Sequence, residues 1–194
     1  MLIGKSGKKY ERENIIFELY EDAHGREFLT SHLLSFAEQI INKNDSNPND
    51  HERQLNDVLV FPKLSNAIFL TIYSEFEHFL ISLCKAYKSE LNLKIPFNDL
   101  RGEGIQGAYK YLDLVVGIED IRQNSIYNEL IHWNKVRNCL VHNSAIIDEK
   151  TKESIDILNI STASSLEEYV ICLELADCNR FLELIQKSKA NLLV

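Results

Sequence analysis

Between residues 62 and 91 apolar side chains recur with a helical period and almost nothing interrupts them. Ile68, Phe69, Ile72, Tyr73, Phe76, Phe79, Leu80, Leu83 and Tyr87 share one face when each residue turns by about 100°. Pro62 suits the first turn of such a helix, where its missing N–H would have had no partner. A helix this long buries so broad a stripe only against other helices, so it is expected to be the spine of a bundle. Three prolines and seven glycines in 194 residues agree, because a turn-rich all-β chain uses more of both. That length supports one substantial core and is short for two domains.

The rest of the chain extends this reading. Residues from about 9 to 43 read as one or two helices broken near His24-Gly25, with Phe28, Leu33, Leu34, Phe36, Ile40 and Ile41 apolar. Asn42 to Asp50 (NKNDSNPND) has turn chemistry throughout and reads as a loop. Residues 1–60 are therefore expected to form an N-terminal helical arm and polar loop, and 61–194 the bundle. Pro96 to Gly104 is a connector, and Ile105 to Val116 a shorter helix stopped by Gly117. Another helix spans residues from about 122 to 142. Beyond it, Ile146-Ile147 and Ile155, Ile157 and Ile160 bracket a charged DEKTKE tip, so a small β-hairpin is expected near 145–160. Ser165 and Glu168 have capping-box spacing and should open a last helix to about Lys189. The expected fold class is all-α, a bundle of about five to six helices with that hairpin inserted.

Composition excludes several function classes. A net charge of −8 gives no global basic field, which argues against a broad, sequence-blind coating of DNA or RNA. It leaves room for a local basic pocket. The basic stretch Lys5, Lys8, Lys9 and Arg12 reads as a solvated terminus more readily than as a phosphate contact. Cys84, Cys139, Cys172 and Cys178 show no CxxC pair and no zinc spacing, and read as reduced, buried small hydrophobes. No apolar run approaches the roughly 18 residues of a membrane span, and the N-terminus lacks a signal-peptide core. A cytoplasmic protein without membrane contact is expected. Walker, GxGxxG and HExxH motifs are absent, and His24, His32, His51, His78 and His132 have no metal spacing, so no cofactor or metal is expected.

One position breaks the pattern. On the 122–142 helix, Ile126, Leu130, Trp133, Val136, Leu140 and Val141 make the apolar stripe, and Arg137 falls about 40° from Trp133, inside it. An unpaired guanidinium drawn toward a core costs several kcal/mol, so it needs a partner. Glu75 and Glu77 flank the stripe of the long helix, and either could lean inward to meet it. A bundle ion pair fixing helix register is the plain reading of any isolated buried arginine. His142 at a helix C-terminus gains from the dipole when protonated, and Asn143 suits a C-cap, neither of which requires catalysis. Trp133 reads as a core or interface anchor before a base-stacking platform, and Asn134 and Asn138 read equally as surface amides.

Arg137-Asn138-Cys139-Leu140-Val141-His142 nevertheless matches Arg-x4-His with a polar residue after the arginine. It resembles the HEPN superfamily, small helical bundles whose motif is Arg-x4–6-His near a helix C-terminus. Tyr73 to Leu80 on the preceding long helix, Trp133 and the His142-Asn143 exit add to the likeness, which covers residues from about 62 to 190. The resemblance implies a metal-independent endoribonuclease working as a homodimer, of toxin or defence type, cleaving tRNA or other RNA to 2′,3′-cyclic phosphate ends. By position it implies that Arg137 binds the scissile phosphate through its fork of donors. His142 would transfer protons, Asn138 would orient the imidazole or the phosphate, and Asn134 would support them. Glu77, or else Glu75, would hold Arg137. It also implies an antitoxin or inhibitor protein as a partner. The alternatives are a non-catalytic HEPN-like module that binds nucleotide, RNA or such a partner, and a purely structural helical interaction protein.

Five residues on a straight helix set Arg137 and His142 about 140° apart. Either the helix unwinds near Leu140, or the arginine of one protomer meets the histidine of another. Tyr109 and Tyr111 are candidates for a modification switch by residue type alone.

Overall fold

A computed structural model describes residues 6–45, 50–100, 102, 104–165 and 168–192. Lys5, Leu166, Glu167 and the 46–49 part of the expected loop lie outside them, as do the side chains of Lys8, Lys9 and Arg12. The chain is an all-α bundle with one small antiparallel β-hairpin. Its helices are α1 (Ser6–Asp45), α2 (Asp50–Leu55), α3 (Phe61–Glu90), α4 (Gly104–Tyr111), α5 (Ser125–His142), α6 (Glu149–Leu158) and α7 (Leu175–Leu192). The hairpin, between α6 and α7, joins β1 (Thr162–Ser165) to β2 (Glu168–Ile171), with Thr162 opposite Ile171.

Backbone contacts divide the chain into two compact units, one of Met1–Leu29 with Glu75–Arg122 and one of Thr30–Ser74 with Gln123–Val194. In the first unit the later half of α3 buries Phe76, Phe79, Leu80, Leu83 and Cys84, and α4 buries Ile105, Ala108 and Tyr109. Gly107 is required there, because a Cβ would stand 2.6 Å from the Gly102 carbonyl oxygen. A wide π-turn, Leu112–Val116, follows α4, and Gly117 closes it with φ +85° in the left-handed region, the expected stop. Tyr109 and Tyr111 are both buried, and the Tyr111 hydroxyl donates to the Ile95 carbonyl at 2.7 Å. Burial places both beyond a modifying enzyme's reach and removes them as switch candidates.

The second unit is built on an aromatic cluster. Phe181 of α7 lies 5.0 Å from Phe69, 5.2 Å from Trp133 and 6.0 Å from Tyr73, ring centre to ring centre. Offset and tilted ring pairs at such distances contribute beyond their buried area. α5 packs on both α6 and α7. Asp148 caps α6 by accepting from the Thr151 N–H at 2.8 Å, and Asn143, the residue that ends α5, reaches the same carboxylate at 3.4 Å. These bonds hold the Asp148 carboxyl below the ordinary carboxylate range, the Thr151 bonds first. A carboxyl depressed in the folded state adds stability above its unfolded pKa and loses it as pH falls through the folded one. The melting-temperature gap between wild type and Asp148→Ala is therefore expected to shrink below about pH 4. Thermal melts at pH 7 and pH 3 check this.

Several sequence expectations are corrected. α1 runs unbroken through His24-Gly25, since one exposed glycine costs only about 1 kcal/mol. The turn after it is tied down by Arg26, bonded to Asp22 at 2.7 Å and Glu75 at 3.0 Å. Among the described side chains of α1, Leu34 and Ala37 are the buried hydrophobics, while Phe28, Leu33, Phe36 and Ile40 are exposed. Helix also occupies residues 42–45, read as loop. Pro62 sits in the first turn of α3, as expected, but that turn is not a free helix start. The chain is already helical from Asp50, and a π-turn over Asn56–Val60, in which the Phe61 N–H reaches the Asn56 carbonyl, leads directly into it. Proline cannot donate to the residue four before it, and the widened turn absorbs that loss. The charged DEKTKE stretch is helical rather than a hairpin tip, because Asp148 caps it and Thr151, Ser154, Ile155 and Leu158 form a buried face. The hairpin lies later, at 162–171. Ser165 and Glu168 face each other across it, so their capping-box spacing opens no helix.

α3 is long and apolar enough to span a membrane by length and composition, which the count of consecutive apolar residues had missed, yet half of that window is buried inside the fold. All four cysteines are free, and Cys84, Cys139 and Cys178 are buried while Cys172 is half-buried. Burial pushes the Cys84 and Cys178 thiols up to about 12. At pH 8 only about one in ten thousand of either is thiolate, the nucleophilic form. Iodoacetamide is expected to modify Cys172 first and to reach Cys84 and Cys178 only on unfolding, as mass spectrometry of the native and urea-treated protein would show.

Candidate functional site

α5 positions the Arg-x4-His residues, and its local chemistry is regular. Asn124 caps it by accepting from the Tyr127 N–H at 2.8 Å, satisfying one of the first-turn donors that lack helical partners. Asn143 ends it, donating its N–H to the Cys139 carbonyl. The helix stays α through His142. Unwinding near Leu140 therefore does not occur, and the roughly 140° between Arg137 and His142 stands.

The buried stripe of α5 is Leu130, Trp133, Val136 and Cys139. Leu140, expected within it, is half-buried, and Val141 is 46% exposed. The buried residues advance by threes instead of following the ideal period, because α6 and α7 together wrap this helix. The shift moves Arg137 from the centre of the apolar face to its margin, where it is half-buried. Asn138 and His142 share the exposed face, about 40° apart. Val141 shares their side and leaves an apolar spot at 46% exposure beside the imidazole.

Within its own unit Arg137 meets no carboxylate among the described residues. Its guanidinium carbon lies 5.5 Å from the centre of the Tyr73 ring, and Nη1 donates to Asn138 Oδ1 at 3.1 Å. Glu75 accepts from Arg26, and the Glu77 carboxylate stands where a side chain at Gly104 would begin. Both glutamates belong to the other unit. The cation–π contact is worth about 0.5–1 kcal/mol at a partly exposed site, a modest return for a guanidinium with most donors unfilled. Among the described residues of its unit no ion pair accounts for it.

Tyr73 is what the sequence reading missed. Its ring is buried against Phe69 and Phe181, and its hydroxyl donates to Asn134 Oδ1 at 2.7 Å. Asn134 thus has a definite job: it fixes the phenol under the guanidinium. The signal was weak, since Tyr73 looked like one more member of the α3 stripe. A tyrosine among phenylalanines and isoleucines was the only hint, because a buried hydroxyl requires a partner.

Immediately after His142 and Asn143, Ser144 and Ala145 both adopt positive φ, +54° and +69°. Two consecutive non-glycine residues in the left-handed region are costly and persist only when surroundings enforce them. The Ala145 N–H bonds to the Cys139 carbonyl, and its own carbonyl accepts from Ile171 of β2. The hairpin thereby fixes the exit of α5, and with it the end that carries His142. His142 itself is exposed and makes no hydrogen bond among the described residues. In chemical terms the face offers a rigid cation, two amides and a solvent-facing imidazole, with no carboxylate among them. No group of three metal-ligating side chains is assembled among the described residues. No family model, curated protein or solved structure matches the chain.

Proposed function

We propose that this protein is a metal-independent endoribonuclease of HEPN type that acts as a homodimer in the cytoplasm, as a toxin or defence effector held in check by an antitoxin or inhibitor protein. One observation carries the reading: a half-buried guanidinium, seated on Tyr73 and held by Asn138, that meets no carboxylate among the described residues of its own unit. A cation preorganised in that way suits a phosphodiester, whose charge its unfilled donors would meet. In the reaction the RNA 2′-oxygen attacks phosphorus, the bond to the 5′-oxygen breaks, and the products are a 2′,3′-cyclic phosphate and a 5′-hydroxyl. Arg137 neutralises charge on the non-bridging oxygens, and His142 moves the proton. One regular helix cannot aim both into a single pocket, so each active centre combines Arg137 of one protomer with His142 of its partner.

The test is incubation of the purified protein with total tRNA in EDTA, followed by mapping of new ends. Cyclic-phosphate ends made by wild type and not by His142→Ala are expected. A folded dimer that yields no cleavage would overturn the ribonuclease reading and leave the module that binds RNA or a partner without cutting.

A further inference from the structure

A second polar cluster in the Thr30–Ser74 and Gln123–Val194 unit lies outside the Arg-x4-His motif. A pocket of about 440 Å³ opens between the α5 residues Asn128, Glu129 and His132, the C-terminal end of α6, and Arg180 of α7. Arg180 is built into its wall. One nitrogen, Nη2, donates to the Leu158 carbonyl at 2.6 Å and to Asp177 Oδ1 at 3.2 Å. The guanidinium carbon also lies over the Trp133 ring, 5.3 Å from its centre. These contacts fix the cation without using up its donors. Of five N–H groups, the two on Nη2 are engaged; Nε is sealed from solvent without an acceptor, and Nη1 makes no hydrogen bond among the described residues.

His132 is held as firmly. Its Nδ1 lies 3.0 Å from Oγ of Ser154, a hydroxyl wholly buried in α6. When that hydroxyl donates to Nδ1, the ring proton sits on Nε2, the nitrogen left for the pocket. On the same wall, Glu129 uses Oε1 to accept from the Trp133 indole at 3.4 Å, which leaves Oε2 as an acceptor beside two donors. Arg180 and His132 supply positive, forked and directional donors, and Glu129 with Asn128 supplies an acceptor-bearing edge.

We propose that this pocket binds a small oxyanionic molecule, its phosphate or carboxylate held by Arg180 Nη1 and His132 Nε2, with Glu129 and Asn128 taking a donor group elsewhere on the ligand. The volume suits a ligand of mononucleotide size, and the proposal stands independently of the ribonuclease reading. Inorganic phosphate and, in a separate series, acetate would be titrated at constant pH into the full-length protein while the histidine ring resonances are followed by NMR. Phosphate, acetate or both should move the His132 ring signals saturably, and which one does so identifies the anionic group. The affinity, read in all three proteins from the indole N–H resonance of Trp133, the single tryptophan of the chain, should fall by at least about tenfold in both Arg180→Lys and His132→Gln. The lysine variant keeps the charge over Trp133, and the glutamine variant leaves Arg180 intact, so the pair guards against a fold defect in either. A His132 signal unmoved by both anions, saturable binding of unchanged affinity in both variants, or a shift confined to His142 would each overturn the proposal.

Discussion

Arg137→Ala is expected to lower RNA cleavage by about a thousandfold or more, the range for removing a phosphate-binding arginine from a phosphoryl-transfer site. His142→Ala should cost about a hundred- to ten-thousandfold, as expected for a general acid–base residue. Stability should move little in the histidine variant, because His142 is exposed and makes no hydrogen bond among the described residues. The distinctive result comes from mixing the two inactive chains. Since α5 is regular from Ser125 to His142, a composite centre needs one residue from each protomer. In a two-fold dimer, a mixed pair contains one centre with both residues intact. Random pairing should then restore roughly a quarter of wild-type activity. Cleavage assays on each variant and on the refolded mixture check this. Two inactive variants that never complement would disprove the composite centre, and two fully active ones would disprove the roles given to Arg137 and His142.

Phe181→Ala should produce the largest loss of stability, about 3–5 kcal/mol. The ring is fully buried and contacts Phe69, Tyr73 and Trp133. Its removal leaves a cavity where two α3 rings meet α5, and rigid helices close such a space only in part. A domain has only about 5–15 kcal/mol in total, so a measurable unfolded fraction is expected. Phe181→Leu keeps most of the volume and should cost appreciably less than the alanine variant. Urea unfolding of the three proteins measures both differences, and a loss below about 1 kcal/mol for alanine would show that the cluster is not the unit's core. The same variant should loosen the Arg137 seat, because Phe181 stacks on the Tyr73 ring beneath the guanidinium.

The long helix was the most legible element because its apolar stripe is continuous over many turns. From Ile68 to Leu83 every expected core position is buried, and only Tyr87 is half-exposed. The Gly117 stop and the Asn143 cap were legible for a local reason, since both depend on backbone geometry within a few residues. Residues 145–171 misled because two local signals competed. Alternating isoleucines suggested strands, while Asp148 supplied a cap three residues before Thr151, and the cap fits a helix whose buried face is Thr151, Ser154, Ile155 and Leu158. The Ser165–Glu168 spacing serves a helix start and a tight hairpin equally well, and strand pairing decided it.

By itself the sequence determined an all-helical fold, the span and cap of α5, and the one arginine that departs from an apolar stripe. All of these follow from interactions within a few residues of one another. The tertiary structure alone decided what that arginine touches. Tyr73, 64 positions away, became its seat by packing against Phe181 and bonding to Asn134. Tertiary packing also joined His132, Glu129 and Arg180 around one pocket. Such contacts depend on how helices cross, and the period of a stripe says which face is buried without saying against what.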